Sequence, residues 1–513
     1  MKKHRLEFFL VILMLALGYL VLFRDISFQW TVVCIALYGV IILSTVISLI
    51  MENRSVQSTL LWIYILVLLP IFGYIFYLYS GQLLLKGLLF KHKRMNDREI
   101  FETSHHRVML DFSQLNERQR CFARYLERST LTHPNTNTKT KVLKNGKETF
   151  REIKQKLLNA KEFIHMEYYT FRYDRLGKEL VAILAEKVKE GVEVRLLYDA
   201  VGSLCLSRSD LKAMQDAGVA VYPFLPIKSG FLNQKWNFRN HRKIIVIDGT
   251  SGFVGGLNVG VEYLGEDENI GFWCDTHVYL EGDAVQTLHK VFLADWEYVC
   301  RERLMEERKP MQVERQPEDK SRQEGSKPIP VNKDGLVHVV ATGPETRKMS
   351  DHFYAMITCA AKSIWIASPY FVPNQAILTA LRIAAAKGIQ VRVMVPEVND
   401  GFLTQYASRS YFPELLRAGI EIYTYQKGFL HKKLIIVDGY IASIGTANMD
   451  LRSFHLNFEV NLFLTGTESV QDLIVQYEED LRECRRIRPV QFYKRPTSER
   501  VKESFARLFS GVW

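Results

Sequence analysis

A His-x-Lys-x4-Asp pattern occurs twice in this chain, as His241, Lys243 and Asp248 in NHRKIIVIDG and as His431, Lys433 and Asp438 in LHKKLIIVDG. Each copy is followed by a glycine-containing turn that ends in asparagine, at Asn258 and at Asn448. One such triplet can arise by accident; two with matching surroundings indicate a duplicated site. Between Lys and Asp run four apolar residues, Ile244 to Ile247 and Leu434 to Val437, which read as short buried strands. Residues two apart on a strand share a face, so the His and Lys of each copy are expected to reach one small anionic group. The chemistry that uses such a set twice is displacement at phosphorus. One imidazole attacks while the other protonates the departing oxygen. Two lysines, with the amides of Asn258 and Asn448, would hold the charge on the phosphate oxygens. That scheme requires no metal and no cofactor. Asp248 and Asp438 complete the candidate catalytic set by motif, although their place before Gly249 and Gly439 predicts service to a turn.

The elements that must position these groups are themselves repeated. AKEFIHMEYYTF from Ala160 parallels AKSIWIASPYFV from Ala361; KEGVEVRLLYD from Lys189 parallels AKGIQVRVMVP from Ala386; DAGVAVYPF from Asp216 parallels RAGIEIYTY from Arg417. Each half reads strand, helix, strand, helix, strand, then the motif strand, which predicts an α/β fold of two repeats with mixed sheets. Packed with their motif strands together, the repeats would share one interfacial active site, so a monomer suffices. The expected boundaries are 137–306 and 335–492, with a connector at 91–136 before them and a tail at 493–513 after them. Segment 307–334, charged and Pro-containing, reads as an exposed linker, flexible at least in part. Tyr168, Tyr169, Tyr370 and Phe371, at strand ends, are candidates to line the pocket.

RNHRKIIVIDG, GGLNVGVEYLG, FWCDTHV and GTANMDLRSFHLNFEVN together resemble the phospholipase D superfamily, and within it the bacterial cardiolipin synthases. The resemblance covers nearly the whole chain, from Asn53 to near the C-terminus. It implies a transphosphatidylation in which one phosphatidylglycerol gives its phosphatidyl group to the enzyme and a second accepts it, releasing cardiolipin and glycerol. It implies His241 as the nucleophile that forms a phosphohistidine, and His431 as general acid and later base; the residues alone leave that order open. It also implies acidic partners that orient each imidazole through its second nitrogen, and Asp275 and Glu459 are the candidates. Lys432 departs from the pattern, standing where a small residue is expected, and its side chain should point away from the pocket.

Residues 1–90 read as a membrane region with apolar segments at 8–23, 32–51 and 60–79. The second and third match the roughly 30 Å of bilayer hydrocarbon and are expected to form a transmembrane hairpin, with Pro70 kinking the third. The first is shorter, with a basic start at Lys2, Lys3 and Arg5 like a signal sequence; no small-residue cleavage site follows it, so it is expected to be retained. The expected location is a bacterial cell membrane, multi-pass, with the catalytic part on the cytoplasmic side. A net charge of +11 and the cluster of Lys86, Lys91, Lys93, Arg94 and Arg98 suit an anionic phospholipid partner. The same excess could serve nucleic acid, but no nucleic-acid motif accompanies it. Seven scattered cysteines without metal-type spacing fit a reducing compartment. In the tail, Val501, Phe505, Leu508 and Val512 share a helical face that suits either a bilayer interface or packing on the catalytic part.

A membrane-bound phospholipase D with water or another alcohol as acceptor would use the same residues. A nuclease-like phosphodiesterase would normally lack the apolar segments, and a non-catalytic scaffold would have no need of two intact triplets.

Overall fold

The computed structural model describes residues 12–21, 27–51, 56–69, 72–74, 77, 89–102, 110–226, 237–268, 270–302, 329–331, 335–344, 346 and 348–509. The chain divides into an N-terminal unit ending at Lys91 and a second unit beginning at His92. In the first unit lie α1 (Ile12–Val21), α2 (Phe28–Met51) and α3 (Val56–Leu68). Among the described residues, α2 alone is long and apolar enough to cross a bilayer. Of the expected spans at 8–23 and 60–79, the described residues include α1 in the first and, in the second, the C-terminal part of α3 and the helical residues 72–74. Pro70 lies outside the described residues. Met14, Leu17, Ile41, Leu49, Trp62 and Leu66 form a core within this unit, while Val33, Leu37, Val40 and Ile47 on α2 remain exposed. Such all-round apolarity is what lipid requires of a helix.

The second unit contains the two repeats. The first runs through β1 (Thr138–Leu143), β2 (Phe163–Tyr168), α4 (Arg175–Lys189), β3 (Glu193–Asp199), α5 (Arg208–Asp216), β4 (Ala220–Phe224), the motif strand β5 (Ile244–Ile247), β6 (Ser251–Gly255), β7 (Phe272–Cys274), β8 (His277–Gly282) and α6 (Asp283–Cys300). Its seven-stranded sheet has the order β1-β8-β6-β5-β2-β3-β4, with β2, β3 and β4 parallel and the remaining pairs antiparallel. The second repeat runs through β9 (Leu336–Thr342), β10 (Ser363–Ala367), α7 (Gln375–Ala386), β11 (Gln390–Pro396), α8 (Phe402–Arg409), β12 (Glu421–Tyr425), β13 (Gly428–Leu430), the motif strand β14 (Leu434–Val437), β15 (Ile441–Gly445), β16 (Glu459–Thr465), α9 (Glu468–Arg482) and β17 (Cys484–Arg486). Its order, β9-β16-β15-β14-β10-β11-β12-β17, repeats the first with one added edge strand. Crossover helices make the parallel pairs possible, and side-chain caps start them: Asp174 accepts from the Gly177 amide, Ser207 from Asp210 and Asn374 from Ile377.

Both motif strands are buried on both faces. Ile244 and Val246 join Leu434 and Ile436 in a core shared by the two repeats; Ile245 and Ile247 face the helices of repeat one, and Ile435 and Val437 those of repeat two. Each such side chain contributes about 1.5–3 kcal/mol by leaving water, which fixes the register of the residues that follow on either side. Further contacts join the repeats: β13 pairs in parallel with β7, and Asn240 bridges Phe458.

The structure bears on three further expectations. Most of segment 307–334 lies outside the described residues, but Ile329–Pro330 pairs with Leu110–Asp111, so the end of the linker is held. Lys93, expected at the lipid surface with its basic neighbours, is fully buried on the helix Lys91–Glu102. The C-terminal helix Thr497–Phe509 packs through Glu503 and Ala506, with Arg409 of α8 donating to Glu503, and turns Val501, Phe505 and Leu508 outward. Val512 lies outside the described residues.

Candidate active site

His241 and Lys243 stand in the extended segment leading into β5, His431 and Lys433 in the one leading into β14; each strand proper begins one residue after the lysine. Neighbouring backbone from the other repeat holds both segments. The His241 amide donates to the Phe458 carbonyl (2.9 Å), and the His431 amide to that of Cys274 (2.8 Å).

The carboxylates pair across the repeats. Glu459, which opens β16 of the second repeat, lies 3.0 Å from His241 Nδ1, and Asp275, after β7 of the first, lies 2.6 Å from His431 Nδ1. A carboxylate accepts only, so at His241 this geometry places a proton on Nδ1 and leaves the Nε2 lone pair for chemistry; at His431, Asp275 and the Lys433 ammonium both face Nδ1. Glu459 is itself fixed by donors on both oxygens, Thr446 Oγ1 at 2.5 Å on one and Asn457 Nδ2 at 3.0 Å on the other. The Thr276 amide donates to Asp275 at 2.8 Å. Gly256 is required beside it, because a Cβ there would come within 2.2 Å of the Asp275 carboxylate.

Electrostatics follow from burial. The His241 pKa is lowered to about 4, first by burial and further by Lys243, against the pull of Glu459. That of His431 is lowered to about 3, again by burial first and then by Lys433, whose Nζ lies 2.7 Å from Nδ1. Burial also lowers the lysines, Lys243 well below its usual value and Lys433 to about 8. Burial would raise Glu459, but His241 and Lys243 outweigh it and bring the pKa to about 2. Each histidine also feels the lysine of the other motif, so the two copies form one electrostatic site. Both imidazoles therefore favour the neutral form beside buried lysines, and an anion placed between them would raise the imidazole that must carry a proton.

Other candidates divide. Asp248 and Asp438, counted with the catalytic set by motif, stand at the opposite ends of their strands from the histidines. Asp248 accepts from the amides of Lys161, Glu162 and Phe163, and Asp438 from those of Ala361, Lys362 and Ser363, with φ of +50° and +54°. They brace the fold, as their place before glycine predicts. Asn258 accepts from the Thr170 amide at 3.1 Å and donates to the Tyr263 hydroxyl at 3.0 Å, whereas Asn448 Oδ1 is buried with no hydrogen bond among the described residues. Tyr169 meets His241 edge-on with ring centroids 5.2 Å apart, and Tyr370 donates to Asp400. Tyr168 and Phe371 instead enter the cores of their repeats, because alternate residues of an extended chain face opposite ways. Lys432 is buried and paired with Asp480. Sequence reasoning missed Thr446, Asn457 and Trp273, whose ring packs 4.9 Å from that of His431. The signal for the first two lies in GTAN and LNFEVN, beside Asn448 and Glu459.

Two α/β repeats that each bring a His-x-Lys segment to a shared, carboxylate-backed site define a phospholipase D-like catalytic unit. The family described as "Cardiolipin synthase, PLD-like domain" matches residues 153–296 and 353–481, and "Phospholipase_D-nuclease N-terminal" matches 40–82. A probable cardiolipin synthase of Bacillus subtilis (strain 168) is 53% identical over 517 residues, covering 100% of both chains. A cardiolipin synthase of Halalkalibacterium halodurans is 46% identical over 519 residues, covering 99% of each. A solved structure of a phosphatidylserine synthase from Haemophilus influenzae shares the fold, with a TM-score of 0.57 at 14% identity, over 77% of this chain and 100% of that one. The chain belongs to the cardiolipin synthases of the phospholipase D superfamily, which associates it with membrane phospholipids.

Proposed function

We propose that this chain makes cardiolipin from two phosphatidylglycerols, with His241 as nucleophile and His431 as the acid and base. The observation that carries this reading is the pair of imidazoles backed through Nδ1 by Glu459 and Asp275. His241 Nε2 attacks phosphorus of the first lipid, the bond to the glycerol headgroup breaks, and His431 gives the departing oxygen its proton. A headgroup hydroxyl of the second lipid then attacks the phosphohistidine, His431 takes its proton, and the nitrogen–phosphorus bond breaks. Lys243 and Lys433, with Asn258 and Asn448, hold the phosphate oxygens as charge grows on them. The family order of roles supports His241 acting first.

The same proposal includes residues 137–306 and 335–492 as the catalytic repeats, residues 1–90 as an integral, multi-pass membrane anchor and a cytoplasmic catalytic side. The exposed apolar face of α2 supports anchoring. The test is purified enzyme in mixed micelles with phosphatidylglycerol alone, followed by lipid mass spectrometry and a glycerol assay. Cardiolipin and glycerol in equal amounts are expected. Phosphatidic acid in place of cardiolipin would make water the acceptor and overturn the synthase reading.

A further inference from the structure

Arg242 stands between His241 and Lys243 in the sequence, yet it points into a buried ionic cluster. Its Nη1 pairs with Asp295 on α6. Its Nε donates to the backbone oxygen of Glu459 at 3.3 Å, and its Nη2 to that of Thr342 at 3.1 Å. Arg242 therefore ties the first motif to β16 and β9 of the other repeat, at the residue whose carboxylate backs His241. The other oxygen of Asp295 meets Lys93 Nζ at 2.8 Å, and Lys93 also pairs with Asp97 at 2.9 Å. Lys93 and Asp295 are both fully buried. Glu167 of β2 adjoins them, accepting from Asn240; burial, then Asp295, raises its pKa well above the usual range.

In this cluster Lys93 and Arg242 share Asp295, and Lys93, of the two, also pairs with Asp97. Without Lys93, one guanidinium would face two buried carboxylates and be drawn toward them, away from the Glu459 carbonyl. We propose that Lys93 is a positioning residue: by neutralising Asp295 it keeps Arg242 on the Glu459 backbone, and so keeps the Glu459 carboxylate on His241. A lysine on the helix that precedes both repeats thereby becomes part of the catalytic framework. The kinetic half of this inference rests on the phosphohistidine reading; the backbone clamp does not.

The test uses the full-length enzyme in detergent, comparing hydrogen–deuterium exchange and steady-state kinetics for Lys93→Met and Lys93→Arg. Lys93→Met is expected to speed exchange at the His241 and Phe458 amides by about 10-fold or more while β2 and β14 stay protected. It is expected to lower kcat by about 10- to 100-fold at unchanged KM, the scale on which small misplacements act. Lys93→Arg should restore both to within about 3-fold of the parent. Where Lys93→Met does not fold, Lys93→Gln, which keeps a donor for Asp295 without the charge, carries the same expectation. Unchanged exchange at those two amides, exchange raised across the whole unit, or an arginine variant no better than methionine would each overturn the proposal. A parent enzyme that makes no cardiolipin would sink the functional reading, and the exchange comparison would still decide the clamp.

Discussion

Replacing Glu459 with glutamine is the most informative perturbation, because the structure dictates how the new amide must sit. The carboxylate receives three donors: His241 Nδ1 at 3.0 Å and Thr446 Oγ1 at 2.5 Å on one oxygen, and Asn457 Nδ2 at 3.0 Å on the other. An amide has a single acceptor oxygen. Asn457 turns its Nδ2 toward Glu459 and, held in that orientation, claims that oxygen, whereas the Thr446 hydroxyl can turn to the Val460 carbonyl, 3.3 Å away. The glutamine nitrogen then faces His241 and donates to Nδ1, driving the ring proton to Nε2. The nucleophilic lone pair is lost at the atom that needs it. Losing a buried charge-assisted hydrogen bond costs about 1.5–3 kcal/mol, or roughly 10- to 150-fold. The tautomer reversal adds to this, and the analogous exchange in a Ser-His-Asp triad costs about 10⁴ in kcat. Glu459→Gln is therefore expected to lower kcat by about 10³- to 10⁴-fold at unchanged KM, while the unfolding midpoint falls by the modest amount that one lost buried charge-assisted hydrogen bond implies. The assay is initial-rate cardiolipin formation at fixed surface concentration of phosphatidylglycerol. A variant within about 10-fold of the parent would refute the claim that Glu459 sets the His241 tautomer.

Other outcomes follow from the same geometry. His241→Ala and His431→Ala are each expected to abolish turnover in the lipid assay; substantial residual rate in either would break the two-histidine scheme. Asp248→Ala should leave the chemistry of folded enzyme intact but lower stability by about 2–4 kcal/mol, since it strips three backbone amides of an anionic acceptor; chemical denaturation reads this directly. Stability should fall as pH drops from 6.5 toward 4. His241, at about 4, and His431, at about 3, bind protons less readily folded than unfolded, so the stability present above pH 6.5 is lost as each folded pKa is approached. Their contribution is on the order of 3 kcal/mol each, and a flat unfolding midpoint between pH 7 and 5 would contradict it. Chelators are expected to leave the rate unchanged; inhibition reversed by a divalent cation would overturn the metal-free scheme.

What the sequence could reveal divides along the distance over which each interaction acts. The motif strands were legible because burial on both faces writes itself into four consecutive apolar residues, and the repeat because it recurs in order along the chain. The turn role of Asp248 was legible for a similar local reason, a carboxylate set before a glycine at a strand end. Spans were less so: α2 emerged at full length, whereas among the described residues α3 begins at Val56, ahead of the apolar segment at 60–79, because composition measures apolarity but does not say where a helix starts. The crossed pairing of Asp275 with His431 and Glu459 with His241 was not legible at all. Both residues were found beside their own motifs, yet each serves the other repeat, since the parallel pairing of β7 with β13 and the bridge from Asn240 to Phe458 swing one repeat's backbone onto the other's histidine. Lys93 shows the same limit from the opposite side: its neighbours in sequence are cations that suit a lipid surface, and only the fold reveals the buried Asp295, 202 residues away, that requires it inside. A duplicated site of this kind therefore cannot be divided into two independent halves. On the proposed mechanism each repeat supplies the nucleophilic nitrogen or the proton shuttle, and the other supplies the carboxylate that backs it, so loosening the contact between repeats should weaken both steps of the reaction at once.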